Sequence, residues 1–324
     1  MTEKISNWRT KIMGKPVPIK LPRSVDELPG IRERGAHAYD FLNHTLPDIG
    51  AVHEHVVLRP DGAGRQTPTA EIYVPKGDGP FPVVMHLHGG AWFTGNARGD
   101  RKFGMTLAAA GFVVVNVDYA LAPEHPFPCA VEDTIYAARW IVRNIARYKG
   151  DPARLAIGGA SAGGNLAASA CLALHGVEST FDGADLAGVP VRVSALVLEF
   201  AVLDVARWLY DPGYAAGATE ISIGAYLGPN FTTLLNEPFV SPLMSPDLDK
   251  LPPTYLTCGD QDALLSNTLL MTAALVKRGV PTTASVLAGV DHEFLKIPDK
   301  VPNGEAEVRR MIDWLHEQLD RAAS

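Results

Sequence analysis

Three nearly continuous apolar runs constrain this chain most: "VVMHL" at 83–87, "FVVVNV" at 112–117 and "ALVL" at 195–198. A strand with one wet face alternates apolar and polar residues; a strand without alternation is buried on both faces. Burial on both faces demands helices on each side of the sheet, and helical crossovers make neighbouring strands parallel. The pattern predicts strands at His53–Leu58, Glu71–Val74, Val83–Leu87, Val113–Val117, Leu155–Ile157, Ala195–Glu199, Thr254–Cys258 and Thr283–Leu287. It predicts helices at Arg101–Ala110, Val131–Asn144, Ala162–His175, Asn267–Arg278 and Glu305–Leu319. The last has apolar residues at 308, 311, 312, 315 and 319, which is helical spacing. Gly111 and Gly279 follow two of these helices, where a C-terminal cap favours glycine. Strands alternating with helices mean an α/β protein with a mostly parallel sheet.

Two regions break the rhythm. Residues 1–50 hold helix-like pieces with Trp8, Ile12, Ile31 and Phe41, punctuated by prolines. Residues 201–240 are rich in aromatics: Trp208, Tyr210, Tyr214, Tyr226, Phe231 and Phe239. Neither is polar enough for disorder. Together they read as a two-part cap over one end of a core formed by 51–200 and 241–324.

Charge and composition exclude other classes. The formal net charge of -7, without a Lys/Arg run, does not suit nucleic acid. No stretch of about 18 apolar residues exists, so stable membrane insertion is not expected. The first residues, MTEKISNWRTKIMGK, lack the apolar segment of a secretory signal. Cys129, Cys171 and Cys258 are odd in number and far apart, which fits a reducing, cytoplasmic setting. The glycosylation sequons at Asn43 and Asn230 are then chance matches. A homodimer is one assembly such a chain allows.

The chemistry centres on "GGASAGGN" at 158–165. Gly159-Ala160-Ser161-Ala162-Gly163 matches G-x-S-x-G, the sharp strand-to-helix turn that exposes a serine nucleophile. A short strand precedes it and an Ala/Leu-rich helix follows. Side chains at 159 and 163 would collide with that strand and helix. The helix N-terminus points at the place where negative charge develops.

A serine hydroxyl needs a base, and the base needs an orienting acid, in the chain order Ser, Asp or Glu, His. Three histidines follow Ser161: His175, His292 and His316. His175 ends the helix after the serine and is expected to be solvated. His316 is expected on the surface of the last helix. His292 lies in "LAGVDHEFL", a loop after the last strand, where catalytic groups gather in such sheets. The acid must come from "YLTCGDQDALL", which offers Asp260 and Asp262; both lie just past a strand, on the same face of an extended chain.

"HLHGGAWF" after the third strand supplies backbone N–H groups for an oxyanion, at Gly89 and Gly90, together with that of Ala162. His86 and His88 form an H-x-H pair, as do His53 and His55, but no third ligand stands near either, so no metal is read.

At this point the chain resembles the hormone-sensitive-lipase family, bacterial type, of α/β-hydrolase carboxylesterases. The matching stretches are "HGGAW" at 88–92, "DYALAPEHPFP" at 118–128, "GASAGGN" at 159–165, "SPLMSPDLDKLPPTYLTCGDQDAL" at 241–264 and "DHEF" at 291–294. The resemblance implies an α/β-hydrolase fold: an eight-stranded, mostly parallel sheet flanked by helices, with a helical cap. It carries over Ser161 as nucleophile, His292 as base, and Gly89, Gly90 and Ala162 as oxyanion donors. It selects Asp262 as the acid, through the family's G-x-x-D-x-L context at Gly259–Leu264.

Departures from the family pattern are Ala160 for the Asp before the nucleophile, Ala263 for the Pro after the acid, and Phe200-Ala201 for "YP". Glu199 precedes the last of these; in an apolar strand it reads as a residue reaching solvent or a partner, or as a polar group facing substrate.

The function implied is cleavage of small to medium carboxylic esters through an acyl-enzyme, with no metal or cofactor and with a small-molecule ester as substrate. Rival readings are an amidase on the same triad and a non-catalytic ligand-binding receptor on a hydrolase scaffold. Trp92, Phe93, Phe41, Trp208 and Tyr210 are the candidates for lining the substrate pocket.

Overall fold

Each expected strand is present: β1 (Ala51–Val57), β2 (Thr69–Val74), β3 (Phe81–Leu87), β4 (Val113–Asp118), β5 (Gly150–Ala160), β6 (Ala195–Glu199), β7 (Thr254–Gly259) and β8 (Thr282–Leu287). The computed structural model describes residues 22–35, 37, 40–59, 67–177, 181, 184–210 and 216–322. The eight strands form one sheet in the order β1-β2-β4-β3-β5-β6-β7-β8. β2 pairs antiparallel with β1 and β4, and the remaining pairs are parallel.

The strand furthest from expectation is β5, which runs well past Leu155–Ile157 at both ends. Glycines carry little strand signal of their own. Here Gly158 and Gly159 are held in the sheet by β3 on one side and β6 on the other.

The helices are α1 (Leu28–Gly35), α2 (Arg101–Ala109), α3 (Cys129–Asn144), α4 (Ala162–Leu174), α5 (Val205–Tyr210), α6 (Ala216–Leu227), α7 (Leu265–Lys277) and α8 (Gly304–Arg321). Periodicity announced α2, α3, α4, α7 and α8 to within two residues at each end. No helix among the described residues is long and apolar enough to cross a membrane.

The continuous apolar runs now have their reason. Val83, Met85 and Leu87 pack with Leu155 and Ile157 against α3, α4 and α7. Val84, Val114, Ala156 and Val197 pack on the other face, against α2 and α8. Successive side chains of one strand enter opposite helix layers, so every position is buried. The edge strand β1 has only one neighbour, and Val52 and Val57 are exposed there.

Because β3, β5, β6, β7 and β8 are parallel, Leu87, Ala160, Glu199, Gly259 and Leu287 end at the same rim of the sheet. The loops leaving that rim carry the sequence-selected residues.

Two histidines sit differently from expectation. His175 is half-buried: its Nδ1 donates to the Lys250 carbonyl at 2.8 Å, and its Nε2 accepts from the Val193 N–H at 3.2 Å. It clamps two loops instead of facing water. His316 is also half-buried, donating from Nε2 to the Ala110 carbonyl at 2.9 Å and stacking on Phe112 at 4.2 Å. In both cases an orphan carbonyl at a helix end or loop attracts a nearby ring N–H, a partner that local sequence does not reveal.

Candidate active site

The strand β5 reverses into α4 at Ser161, whose backbone is held at φ 55, ψ -114. That is costly for a residue with a side chain and persists only where the surroundings impose it. They do so with three hydrogen bonds. The Ser161 N–H donates to the Glu199 carbonyl at 2.8 Å, and the Ser161 carbonyl accepts from Asn165 at 3.1 Å and Val202 at 3.2 Å. The serine side of the turn is 8% exposed, so the residue is nearly enclosed.

The glycines of the motif follow from close approach. A Cβ on Gly159 would lie 2.5 Å from the Gly163 carbonyl carbon, and one on Gly163 would lie 2.1 Å from the Leu87 carbonyl oxygen. Gly163→Ala is therefore expected to destabilise the fold by about 1–3 kcal/mol, because neither backbone can retreat. Thermal unfolding should show a lowered Tm for Gly163→Ala and none for Gly188→Ala, where nothing lies within 4 Å of the added carbon.

Asp262 follows β7, and His292 follows β8, so neighbouring strands deliver them side by side. The His292 Nδ1 lies 2.7 Å from Asp262 Oδ2. Asp262 Oδ1 accepts from the Leu264 N–H at 2.8 Å, which fixes the carboxyl plane. A carboxylate oxygen only accepts, so the ring proton is on Nδ1 and the lone pair is on Nε2. The Phe200 ring packs edge-on against His292 at 4.8 Å. Phe200 directly follows Glu199, the residue that anchors the Ser161 N–H.

Asp260 does something else. It is exposed, and its Oδ1 accepts from the Gly289 N–H at 2.7 Å, tying the end of β7 to the loop after β8. The two acids that periodicity left equivalent are thus separated by what each one touches.

After β3, Gly89 lies against the serine: a Cβ built on it would be 3.5 Å from Ser161 Cβ. Gly90 has φ 126, and a Cβ there would meet the Thr94 carbonyl at 2.1 Å. The Gly90 carbonyl accepts from Phe93 at 3.1 Å and Thr94 at 3.0 Å, closing a tight loop. Among the described residues no backbone carbonyl takes the N–H of Gly89 or Gly90. Ala162 is the first residue of α4, and its N–H has no acceptor within the helix.

His88 stiffens this loop from behind. Its Nδ1 donates to the Gly89 carbonyl at 2.8 Å, its ring stacks on Tyr119 at 4.3 Å, and the Tyr119 hydroxyl donates to the His88 carbonyl at 2.8 Å. Burial lowers the His88 pKa, so the ring stays neutral. His86 lies instead beside Glu199, and His53 packs edge-on against Tyr148. Among the described residues no group of three or more His, Cys, Asp or Glu could hold a metal ion.

The pocket candidates divide. Trp92 is buried between Tyr226, stacked at 4.3 Å, and Trp208, edge-on at 5.9 Å. Phe93 is buried beside it in sequence, and its carbonyl accepts from the Arg32 Nε of α1 at 2.7 Å. Tyr210 is 73% exposed and stands apart from this cluster. Two residues along a helix turn a side chain by about 200°, so Trp208 and Tyr210 face opposite ways. The Phe41 side chain, together with Trp8, Ile12 and Tyr214, lies outside the described residues.

Glu199 does not reach solvent; it is buried with His86 as its partner. Sequence reading noticed both residues and paired neither. It also missed Tyr226 as the ring stacked on Trp92, and Arg32 as the anchor of α1.

Comparison with known proteins gives a consistent picture. A family profile described as the α/β-hydrolase fold matches residues 84–296. The carboxylesterase NlhH of Mycobacterium tuberculosis is 30% identical over 235 residues, covering 68% of this chain and 69% of its own. Versiconal hemiacetal acetate esterase of Dothistroma septosporum is 31% identical over 264 residues, covering 78% and 79%. Among solved structures, the hyperthermophilic esterase of the archaeon Pyrobaculum calidifontis superposes with a TM-score of 0.80 at 26% identity, covering 95% of this chain and 96% of that one. With the eight-stranded sheet and a serine at its strand-to-helix turn, these matches show that the chain belongs to the hormone-sensitive-lipase-like carboxylesterases of the α/β-hydrolase fold.

Proposed function

We propose that this carboxylic ester hydrolase works through Ser161 as nucleophile, His292 as general base and acid, and Asp262 as the group that orients His292. The observation that carries the proposal is the 2.7 Å contact between Asp262 and His292 Nδ1, at the same rim of the sheet as Ser161. Ser161 Oγ attacks the ester carbonyl carbon while its proton passes to His292 Nε2. The carbonyl oxygen becomes an oxyanion, held by the N–H groups of Gly89, Gly90 and Ala162. Collapse of this intermediate expels the alcohol, which takes the proton from His292, and leaves an acyl group on Ser161. Water, deprotonated by the same imidazole, then releases the acid.

The Asp262 carboxylate has two tasks. It keeps the lone pair on Nε2, and it stabilises the imidazolium that forms in each step. Labelling by a fluorophosphonate tests the proposal directly. One equivalent bound covalently at Ser161 is expected; a folded protein that stays unlabelled would instead be a binding scaffold.

The cap is proposed to be built from the N-terminal segment together with 201–240. Its support is that α6 lies against the turn Val25–Glu27, and that Arg32 of α1 reaches the carbonyls of Phe93 and Ala122 and the carboxylate of Glu124. The buried aromatic cluster of Trp92, Trp208 and Tyr226 fills the region directly after the oxyanion loop with rings, which supports a reading of limited room for an acyl chain there. Short and medium acyl chains should therefore be preferred. Each methylene that fits gains about 0.8 kcal/mol, until the chain outgrows the space. In a p-nitrophenyl ester series, kcat/KM should peak at short or medium chains; a maximum at palmitate length would refute this. A cytoplasmic setting is proposed on the three free cysteines.

A further inference from the structure

Behind the nucleophile lies a charged cluster that ester hydrolysis by a serine triad does not require. His86 Nε2 stands 3.4 Å from Glu199 Oε1, and the two side chains are 2% and 3% exposed. They belong to β3 and β6, which are not neighbours; β5 runs between them. In register, Gly158 faces both His86 and Val197, and Ala160 faces Glu199. A bare position at 158 and a methyl at 160 leave the way across β5 open. An acid at 160 would set a second carboxylate opposite Glu199, so the Ala160 departure and the presence of Glu199 fit each other.

A second pair lies nearby. Lys296 Nζ is 3.0 Å from Asp100 Oδ1 and 3.4 Å from Glu293 Oε1. Glu293 directly follows His292. Asp100 stands at the start of α2, and the ring of Phe103 from that helix packs on His86 at 5.2 Å. The charged groups acting on His86 are thus Glu199 from β6, Asp100 from the start of α2 and Lys296 from the His292 loop. Burial works against a charge on His86, yet the Glu199 carboxylate beside it keeps its pKa above the usual imidazole value.

Glu199 is also the hinge of the site. Its carbonyl holds the Ser161 N–H at 2.8 Å, and Phe200, at φ 38, turns its ring onto His292. We propose that His86 and Glu199 form a buried ion pair that positions the site: by fixing the end of β6 it sets both the Ser161 turn and the ring of His292. The inference rests on the triad reading above. Both side chains are buried against each other and act through Ser161 and His292, so both are positioning residues.

The pair exists while His86 carries its proton. A raised folded pKa means that its stabilisation is complete below the ordinary imidazole value of about 6.5 and is lost as pH rises through the folded value. Catalysis uses the His292 Nε2 lone pair as its base. Activity should fall on an alkaline limb that belongs to His86.

The test compares wild type, Glu199→Gln and the apolar double variant His86→Phe/Glu199→Leu, each labelled with a fluorophosphonate. Wild-type labelling is scored first, because failure there removes the triad reading itself. Given labelling, Glu199→Gln should lose about tenfold to a hundredfold in kcat, as for a small misplacement of reacting groups, with KM little changed and the alkaline limb abolished. Apolar replacement of a buried ion pair is often neutral or stabilising, so the double variant should recover its Tm. Its kcat should stay low and its alkaline limb absent. Recovery of wild-type kcat along with Tm, or an alkaline limb that persists in either variant, would overturn the proposal. Should Glu199→Gln fail to fold, the double variant decides alone.

Discussion

Ser161→Ala should lower ester turnover by about 10⁶ while leaving the fold intact, the scale seen when a serine hydrolase loses its nucleophile. The size follows from chemistry that no neighbour replaces. Without Oγ there is no acyl-enzyme, and His292 can only assist direct attack by water. The fold should survive because the turn is built from backbone: Ser161 is held through its N–H and carbonyl, by Glu199, Asn165 and Val202. Alanine still pays the strain of φ 55, as serine does. The measurement is kcat on one short ester, with circular dichroism and Tm as controls. Near-normal activity in a folded Ser161→Ala variant would remove the assignment.

Asp262→Asn should cost about 10³ to 10⁴ in turnover, scaled from the same change in a serine protease triad. The asparagine amide can present its NH₂ to His292 Nδ1 and so stabilise the wrong tautomer, with the proton on Nε2. The Leu264 N–H already bonds Asp262 Oδ1, and the amide oxygen would keep that bond, which turns the NH₂ toward the ring. Asp260→Asn is the control. Its Oδ1 accepts from Gly289 and it faces solvent, so an amide oxygen can serve as well, and the loss should stay below about tenfold. Both variants should be assayed on one ester after a check of folding. If Asp260→Asn were the inactive one, the acid would be the wrong residue of the two.

The layered sheet was legible because its signal is local. An unbroken apolar run such as "FVVVNV" states that both faces are covered, whichever strands become its neighbours. The G-x-S-x-G turn is legible because its residues are contiguous: Gly159 answers a clash with Gly163 inside the turn, although the clash that excludes a side chain at 163 comes from the Leu87 carbonyl of β3. His292 could be chosen among three histidines by chain order and its loop, without coordinates.

What needed the tertiary structure was every decision made by a partner distant in sequence. Periodicity leaves Asp260 and Asp262 equivalent, and in the sequence only the resemblance to the family motif favours Asp262; the physical difference is that His292 arrives beside Asp262 and Gly289 beside Asp260. His175 and His316 looked solvated because the carbonyls that bind them, at Lys250 and Ala110, belong to other elements. Glu199 looked out of place in an apolar strand because its partner, His86, lies 113 positions earlier and two strands away. Hydrophobic periodicity is imposed by each element's own environment and can be read along the chain. The pairing of buried polar groups is imposed by strand order and register, and these exist only once the chain has folded.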